Sequence, residues 1–99
     1  MSFRLRYTRR ARGDITRLYG FLLEHDFNAA EKAVEVIIRT INTLKDFPFA
    51  ARKAPGSSAF LRELVIPFGS AGYVALFEIG NAKTVTILAI RHQREDDYH

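Results

Sequence analysis

Phe3, Leu5 and Tyr7 alternate with Arg4 and Arg6, the two-residue period of a half-buried strand over residues 3–7. The period then changes. Ala11, Ile15, Leu18, Tyr19 and Leu22 recur at spacings of three and four, one stripe along a helix over residues 9–25. The Thr8 hydroxyl stands where it can accept an orphan amide at that helix's start. Residues 25–28 read as a tight turn, with Asn28 and Glu31 spaced as a capping box. Ala33, Val34, Ile37, Ile38, Ile41 and Leu44 make a second stripe. Pro48 disfavours helical backbone before it, so the second helix is expected to end near Asp46. Joined by so short a turn, the two helices pack as an antiparallel hairpin.

Residues 48–59 hold Pro48, Pro55, Gly56, Ser57 and Ser58, the composition of a loop. Strands follow over 60–66, 73–79 and 83–90, the first stopped by Pro67 and Gly69. Gly80 and Asn81 both tolerate positive φ and suit the turn between the last two. The unbroken apolar run of the last strand predicts burial within the sheet. The order β-α-α-β-β-β makes residues 1–99 a single α+β domain. The helical hairpin covers one face of a mainly antiparallel four-stranded sheet, leaving the other face concave and more polar.

The composition, 47% hydrophobic and 26% charged, is that of an ordered globular domain. Absence of cysteine excludes disulfides, thiolate catalysis and cysteine zinc sites, and suits a reducing cytoplasm. No apolar run approaches the roughly 20 residues of a membrane span. The opening residues lack the apolar core of a secretory leader, so a cytoplasmic location is expected. His25, His92 and His99 share no ligand spacing, so neither metal nor other cofactor is expected. The net charge of +4 is concentrated: Arg4, Arg6, Arg9, Arg10, Arg12 and Arg17 face one nearby acid, Asp14. Such a distribution attracts phosphate polymers, anionic membranes or an acidic protein, the plain alternative being a solvated helix face.

The densest chemistry follows the last apolar run: Arg91, His92, Gln93 and Arg94, then Glu95, Asp96, Asp97, Tyr98 and His99. RNA cleavage by attack of a 2′-hydroxyl needs a base, a cation for the phosphorane and an acid for the leaving oxygen. The imidazole of His92 is a side chain suited to proton transfer, Arg91 and Arg94 can grip a phosphate, and Tyr98 can stack on a base or donate a proton. Each has a plainer reading. His92 can be structural, the arginines can pair with residues 95–97, and Tyr98 can be an inert tail residue. Glu63, on a strand, has Arg91 as its nearest candidate partner. Tyr73 and Phe77 alternate with Ala75 and belong to the core.

Several runs in order carry a resemblance that spans essentially the whole chain. They are Tyr7-Thr8-Arg9-Arg10-Ala11 with Asp14-Ile15, then Leu44-Lys45-Asp46-Phe47-Pro48 and Arg62-Glu63-Leu64-Val65-Ile66-Pro67. Gly72-Tyr73 and the stretch from Val85 through Arg91-His92-Gln93-Arg94 complete the set. Together they resemble the RelE/ParE superfamily of type II toxin–antitoxin toxins, also called plasmid stabilisation proteins. The resemblance implies a small basic toxin wrapped by the C-terminal segment of a cognate antitoxin, with promoter DNA bound only through that antitoxin. RelE-like members cut mRNA in the ribosomal A site, whereas ParE-like members poison DNA gyrase.

On that resemblance, Tyr98 falls at the functional tyrosine of the nucleases and His92 at their basic catalytic position. Val74, however, follows Tyr73 where the nucleases carry arginine, and Glu63 to Pro67 is acidic then apolar where they carry inward cations. Arg52 and Lys53, in the loop, are the cations that could compensate. The expectation is therefore a ParE-like gyrase inhibitor acting by binding rather than catalysis, with Arg91, His92, Arg94 and Tyr98 contacting the target. The alternatives are a ribosome-dependent endoribonuclease using those same four residues catalytically, and a toxin fold retained as an inactive binding module.

Overall fold

The computed structural model describes residues 2–56, 58–95 and 98. Strand β1 (Arg4–Tyr7) leads into helix α1 (Arg9–Leu23) and helix α2 (Phe27–Asn42), the latter prolonged by a 3-10 turn at Thr43–Lys45. A second 3-10 turn at Pro48–Ala50 precedes β2 (Arg52–Lys53), β3 (Leu61–Phe68), β4 (Ala71–Gly80) and β5 (Thr84–His92). The sheet order is β1-β5-β4-β3-β2, antiparallel throughout except where β1 runs parallel to β5. The α+β class and element order match expectation, and β5 lies inside the sheet. The strand count is five rather than four. The extra strand is the two-residue β2, too short to show a period, inside the segment read as a loop.

Three local expectations need correction. Asp26, not Asn28, caps α2: its side chain accepts the Ala29 N–H at 3.1 Å. Glu31 instead accepts the Tyr19 hydroxyl at 2.7 Å, bridging the two helices. In the β4–β5 turn, positive φ falls on Ala82 and Lys83 (56° and 55°), not on Gly80 and Asn81. Pro67 does not stop β3 but pairs with Gly72 in the ladder.

The helices cover one sheet face. Ala11, Leu18, Ala33, Ile37 and Ile41 meet Ile66, Tyr73, Ala75, Phe77, Val85, Ile87 and Ile90 in one core. Tyr73 and Phe77 are thus core residues. At the corner from β1 into α1, the Thr8 hydroxyl accepts the Ala11 N–H at 3.0 Å and donates to the Leu88 carbonyl at 2.9 Å. β1 pairs with β5 only as far as Ile87, and α1 takes over the remaining edge of β5. The Asp14 carboxylate accepts the Ile90 N–H at 2.8 Å, and Arg17 reaches the Ile90 carbonyl at 3.4 Å. A buried acid, 5% exposed, is tolerable here because it satisfies a buried strand amide and lies 3.6 Å from Arg17.

Candidate functional site

One irregularity determines where the tail residues point. Between Leu76 and Phe77 the β4–β5 register shifts: Leu76 opposes Ala89 and Phe77 opposes Ile87, leaving Leu88 as an extra residue in β5. In a regular strand Val85, Ile87, Ala89 and Arg91 would share a face. The bulge reverses the alternation. Ile90 and His92 now point to the helices with Val85 and Ile87, while Ala89 and Arg91 point to the open face. His92 stands edge-on to the core ring of Tyr73, centroids 5.5 Å apart.

On the helix side, a recess of about 410 Å³ is lined by Arg17, Leu18, Phe21, His92, Arg94 and Glu95. Glu95 ties the turn after β5 to α1: one carboxylate oxygen accepts the His92 N–H at 2.7 Å and the other meets Arg17 at 3.1 Å. His92 Nδ1 accepts the Arg94 N–H at 3.1 Å, which leaves the proton of the neutral ring on Nε2. The ring in this arrangement offers the recess a donor, not a base. The Arg94 guanidinium is exposed and makes no ion pair among the described residues.

On the open side, a cleft of about 280 Å³ is lined by Ala54, Pro55, Leu61, Glu63, Leu76, Arg91 and Tyr98. Glu63 is buried and organises it. The β2–β3 pairing sets Arg52 opposite Glu63, and the guanidinium reaches the carboxylate through Nε and a terminal nitrogen, both at 3.1 Å. The other Glu63 oxygen accepts the Tyr98 hydroxyl at 2.7 Å. The Glu63–Arg91 pair expected from sequence is therefore replaced by Glu63–Arg52, which only the unforeseen strand β2 could supply. Burial, then the bond to Glu63, push the Tyr98 phenol well above its ordinary range, with Arg91 offsetting part of the shift. Tyr98 is thus a held donor and a reluctant acid.

Arg91 lies over the Tyr98 ring at 5.1 Å, a cation–π geometry. One terminal nitrogen donates to the carbonyls of Glu95, His92 and Gln93 at 2.8, 3.3 and 3.4 Å. Its buried Nε–H has no acceptor among the described residues. Arg91 therefore folds the tail back over the sheet, and does not pair with Glu95 through that carboxylate. Asp96 and Asp97, also named as candidate partners, lie outside the described residues.

The four residues singled out from sequence thus form two pairs. Arg91 and Tyr98 share the open face, and His92 and Arg94 share the recess beside α1. Asp14, Arg17, Arg52 and Glu63 complete the two sites. Of these, Glu63 and Arg52 were named from sequence without being joined, and Asp14 carried a usable signal, being a carboxylate on the buried stripe of Ala11 and Leu18. Val74, where the nucleases place arginine, is buried at 2% exposure.

Beyond the tail, Phe47, Phe49 and Phe60 are exposed. Phe49 and Phe60 meet edge-on at 6.3 Å, and Arg62 lies 5.3 Å from the Phe49 centroid. Arg62 also donates to the carbonyls of Ala59, Phe49 and Ala51 at 2.8, 3.1 and 2.8 Å, which fixes the patch.

Comparison with known proteins agrees with this architecture. The family model for the ParE toxin of the type II toxin–antitoxin system parDE matches residues 5–97. Toxin RelE3 of Caulobacter vibrioides is 34% identical over 86 residues, 87% of this chain and 89% of that protein. The chromosomal ParDE TA system from P. aeruginosa superposes with a TM-score of 0.75 at 23% identity, covering 92% of this chain and 96% of the other. The toxin–antitoxin complex RelBE2 from Mycobacterium tuberculosis gives 0.61 at 21% identity, covering 94% and 100%. Both superpositions speak to the fold.

Proposed function

The chain belongs to the ParE toxin family of type II toxin–antitoxin systems, and from that premise we propose that it inhibits DNA gyrase by binding it in the cytoplasm. The observation that carries this reading is the separation of His92 from Arg91 and Tyr98 by the β5 bulge. A nuclease working through these residues needs base, cation and acid around one phosphate. Here His92 Nδ1 is engaged by Arg94, Tyr98 is a held donor, and Arg91 is taken up by backbone carbonyls. The set is better suited to presenting a rigid surface than to moving protons. The fixed patch of Phe47, Phe49 and Phe60 supports the same reading, since aromatic anchors beside arginine suit a protein interface.

Neutralisation by a cognate antitoxin is part of the proposal. The net charge of +4 and the exposed Phe21 and Phe27 at the hairpin tip suit a segment that is acidic and partly apolar. Adding the co-encoded acidic protein should raise the melting temperature, and an unchanged melting curve would remove that pairing.

A supercoiling and DNA-cleavage assay with gyrase, run beside heat-unfolded protein, tests the target. Inhibition with accumulated cleaved DNA is expected. An unaffected gyrase would overturn the proposal, provided the same protein cut mRNA on ribosomes and lost that activity in His92→Ala and Tyr98→Phe.

A further inference from the structure

The arginines of β1 and the start of α1 are absorbed by neither tail site. Arg4, Arg6, Arg9, Arg10 and Arg12 are all exposed, and none forms an ion pair among the described residues. Arg4 and Arg6 lie two residues apart on a strand, so both point to the open face, beside Thr84 and Thr86 in the parallel register. Thr8 then turns the chain directly into α1, where Arg9 points away from the buried stripe and Arg10 and Arg12 flank the buried Ala11 on opposite sides. Asp46 follows Lys45, whose carbonyl accepts the Phe3 N–H at 2.6 Å, and forms no ion pair with these arginines. Asp14 is buried against Ile90 and Arg17, and Glu78 lies across β5, opposite Thr86.

Helix stability does not explain this arrangement. The first turn of α1 has no acidic residue and carries arginines at the positive end of the helix dipole, where cations are disfavoured. A function that needs positive charge does explain it.

We infer that this corner binds the phosphate backbone of duplex DNA. Charge complementarity identifies a polyanion, and the rest of the patch narrows the choice. None of the large exposed apolar residues belongs to β1 or the start of α1, and Phe47 comes two residues after Lys45, whose carbonyl accepts the Phe3 N–H. Among the described residues, β1 and the start of α1 therefore offer no exposed aromatic platform for unstacked bases and no exposed apolar anchor for a peptide. Arginine beside threonine hydroxyls suits phosphate oxygens in a sequence-independent grip. The choice of DNA over duplex RNA rests on the gyrase reading, in which the toxin works beside DNA that the enzyme holds.

Fluorescence anisotropy of a labelled mixed-sequence DNA duplex, titrated with purified protein at several salt concentrations, tests the inference without gyrase. Each neutralised phosphate contributes about −0.9 to the slope of log K against log salt, so contact by all five arginines sets the upper limit, a fall in affinity of about 500-fold between 50 and 200 mM salt. In the triple variant Arg4→Gln, Arg6→Gln, Arg9→Gln the same salt change should lower it only about 10-fold. Arg39→Gln, which removes an arginine paired with Glu35 on α2, should behave as wild type. A melting temperature no lower than that of the wild type shows that the fold of the triple variant persists. Absence of binding at low salt, or an unaltered slope in the triple variant, overturns the inference. Equal competition by polyglutamate would assign the corner to an acidic protein, and equal competition by duplex RNA would remove its specificity for DNA. The gyrase assay stands apart: poisoned gyrase without free DNA binding leaves the target reading intact and removes this one.

Discussion

Asp14 and Glu63 are the two buried carboxylates among the described residues, and each joins segments distant in sequence. Asp14→Ala leaves the Ile90 amide buried without an acceptor and should cost about 1–3 kcal/mol. Asp14→Asn keeps an acceptor oxygen and should cost clearly less. Urea denaturation of both variants measures the difference, and equal losses would mean that charge, not the strand amide, is what Asp14 satisfies. The position was legible, an acid on an apolar stripe, but its partner was not, because nothing local to residue 14 shows where β1 stops covering β5. Glu63 was legible as a carboxylate on a strand needing a cation. The wrong cation was expected because Arg52 sits on a strand of two residues, where alternation has no room to register.

At the scale of elements, long stripes and runs were readable and turns were not. Both helices and the three long strands follow from stripes, apolar runs and their flanking turn residues, whereas the β4–β5 turn puts positive φ on Ala82 and Lys83 and not on Gly80 or Asn81. The charge of α1 leads to a stability prediction. Arg9→Glu puts an anion at the helix start and should stabilise the fold by about 0.3–1 kcal/mol, seen as a higher urea midpoint at low salt and a smaller gain at high salt. A loss of stability would mean that the Arg9 stem packs usefully. Gly72 shows the opposite constraint. A Cβ there would collide with the Ile66 carbonyl oxygen and lie 2.9 Å from the Phe68 nitrogen, where Gly72 pairs with Pro67 in the β3–β4 ladder. Gly72→Ala should therefore destabilise by about 3 kcal/mol, the upper end of overpacking costs, in the same denaturation experiment.

For the whole molecule, the class and order of elements were set by patterns averaged over many residues, while the division of the tail into two sites depended on one. Leu88 carries no mark of a bulge in an unbroken apolar run, yet it sends Arg91 and His92 to opposite faces. Whether the tail is docked as described can be read from the tyrosines, which sample both faces. Burial raises Tyr7 and Tyr73, the bond to Glu31 raises Tyr19, and burial with the bond to Glu63 raises Tyr98 furthest. A phenol raised in the folded state favours folding while protonated. Its contribution is complete below the unfolded value, about 10, and is lost as pH rises through the folded one. Phenolate absorbance of the native protein should therefore appear at higher pH than in urea, and the stability that these phenols contribute should be lost only in that alkaline window. Tyr98→Phe should remove the last component to titrate and leave the earlier ones in place. If it removes an early component instead, the hydroxyl is in water, and the tail neither reaches Glu63 nor closes the open cleft.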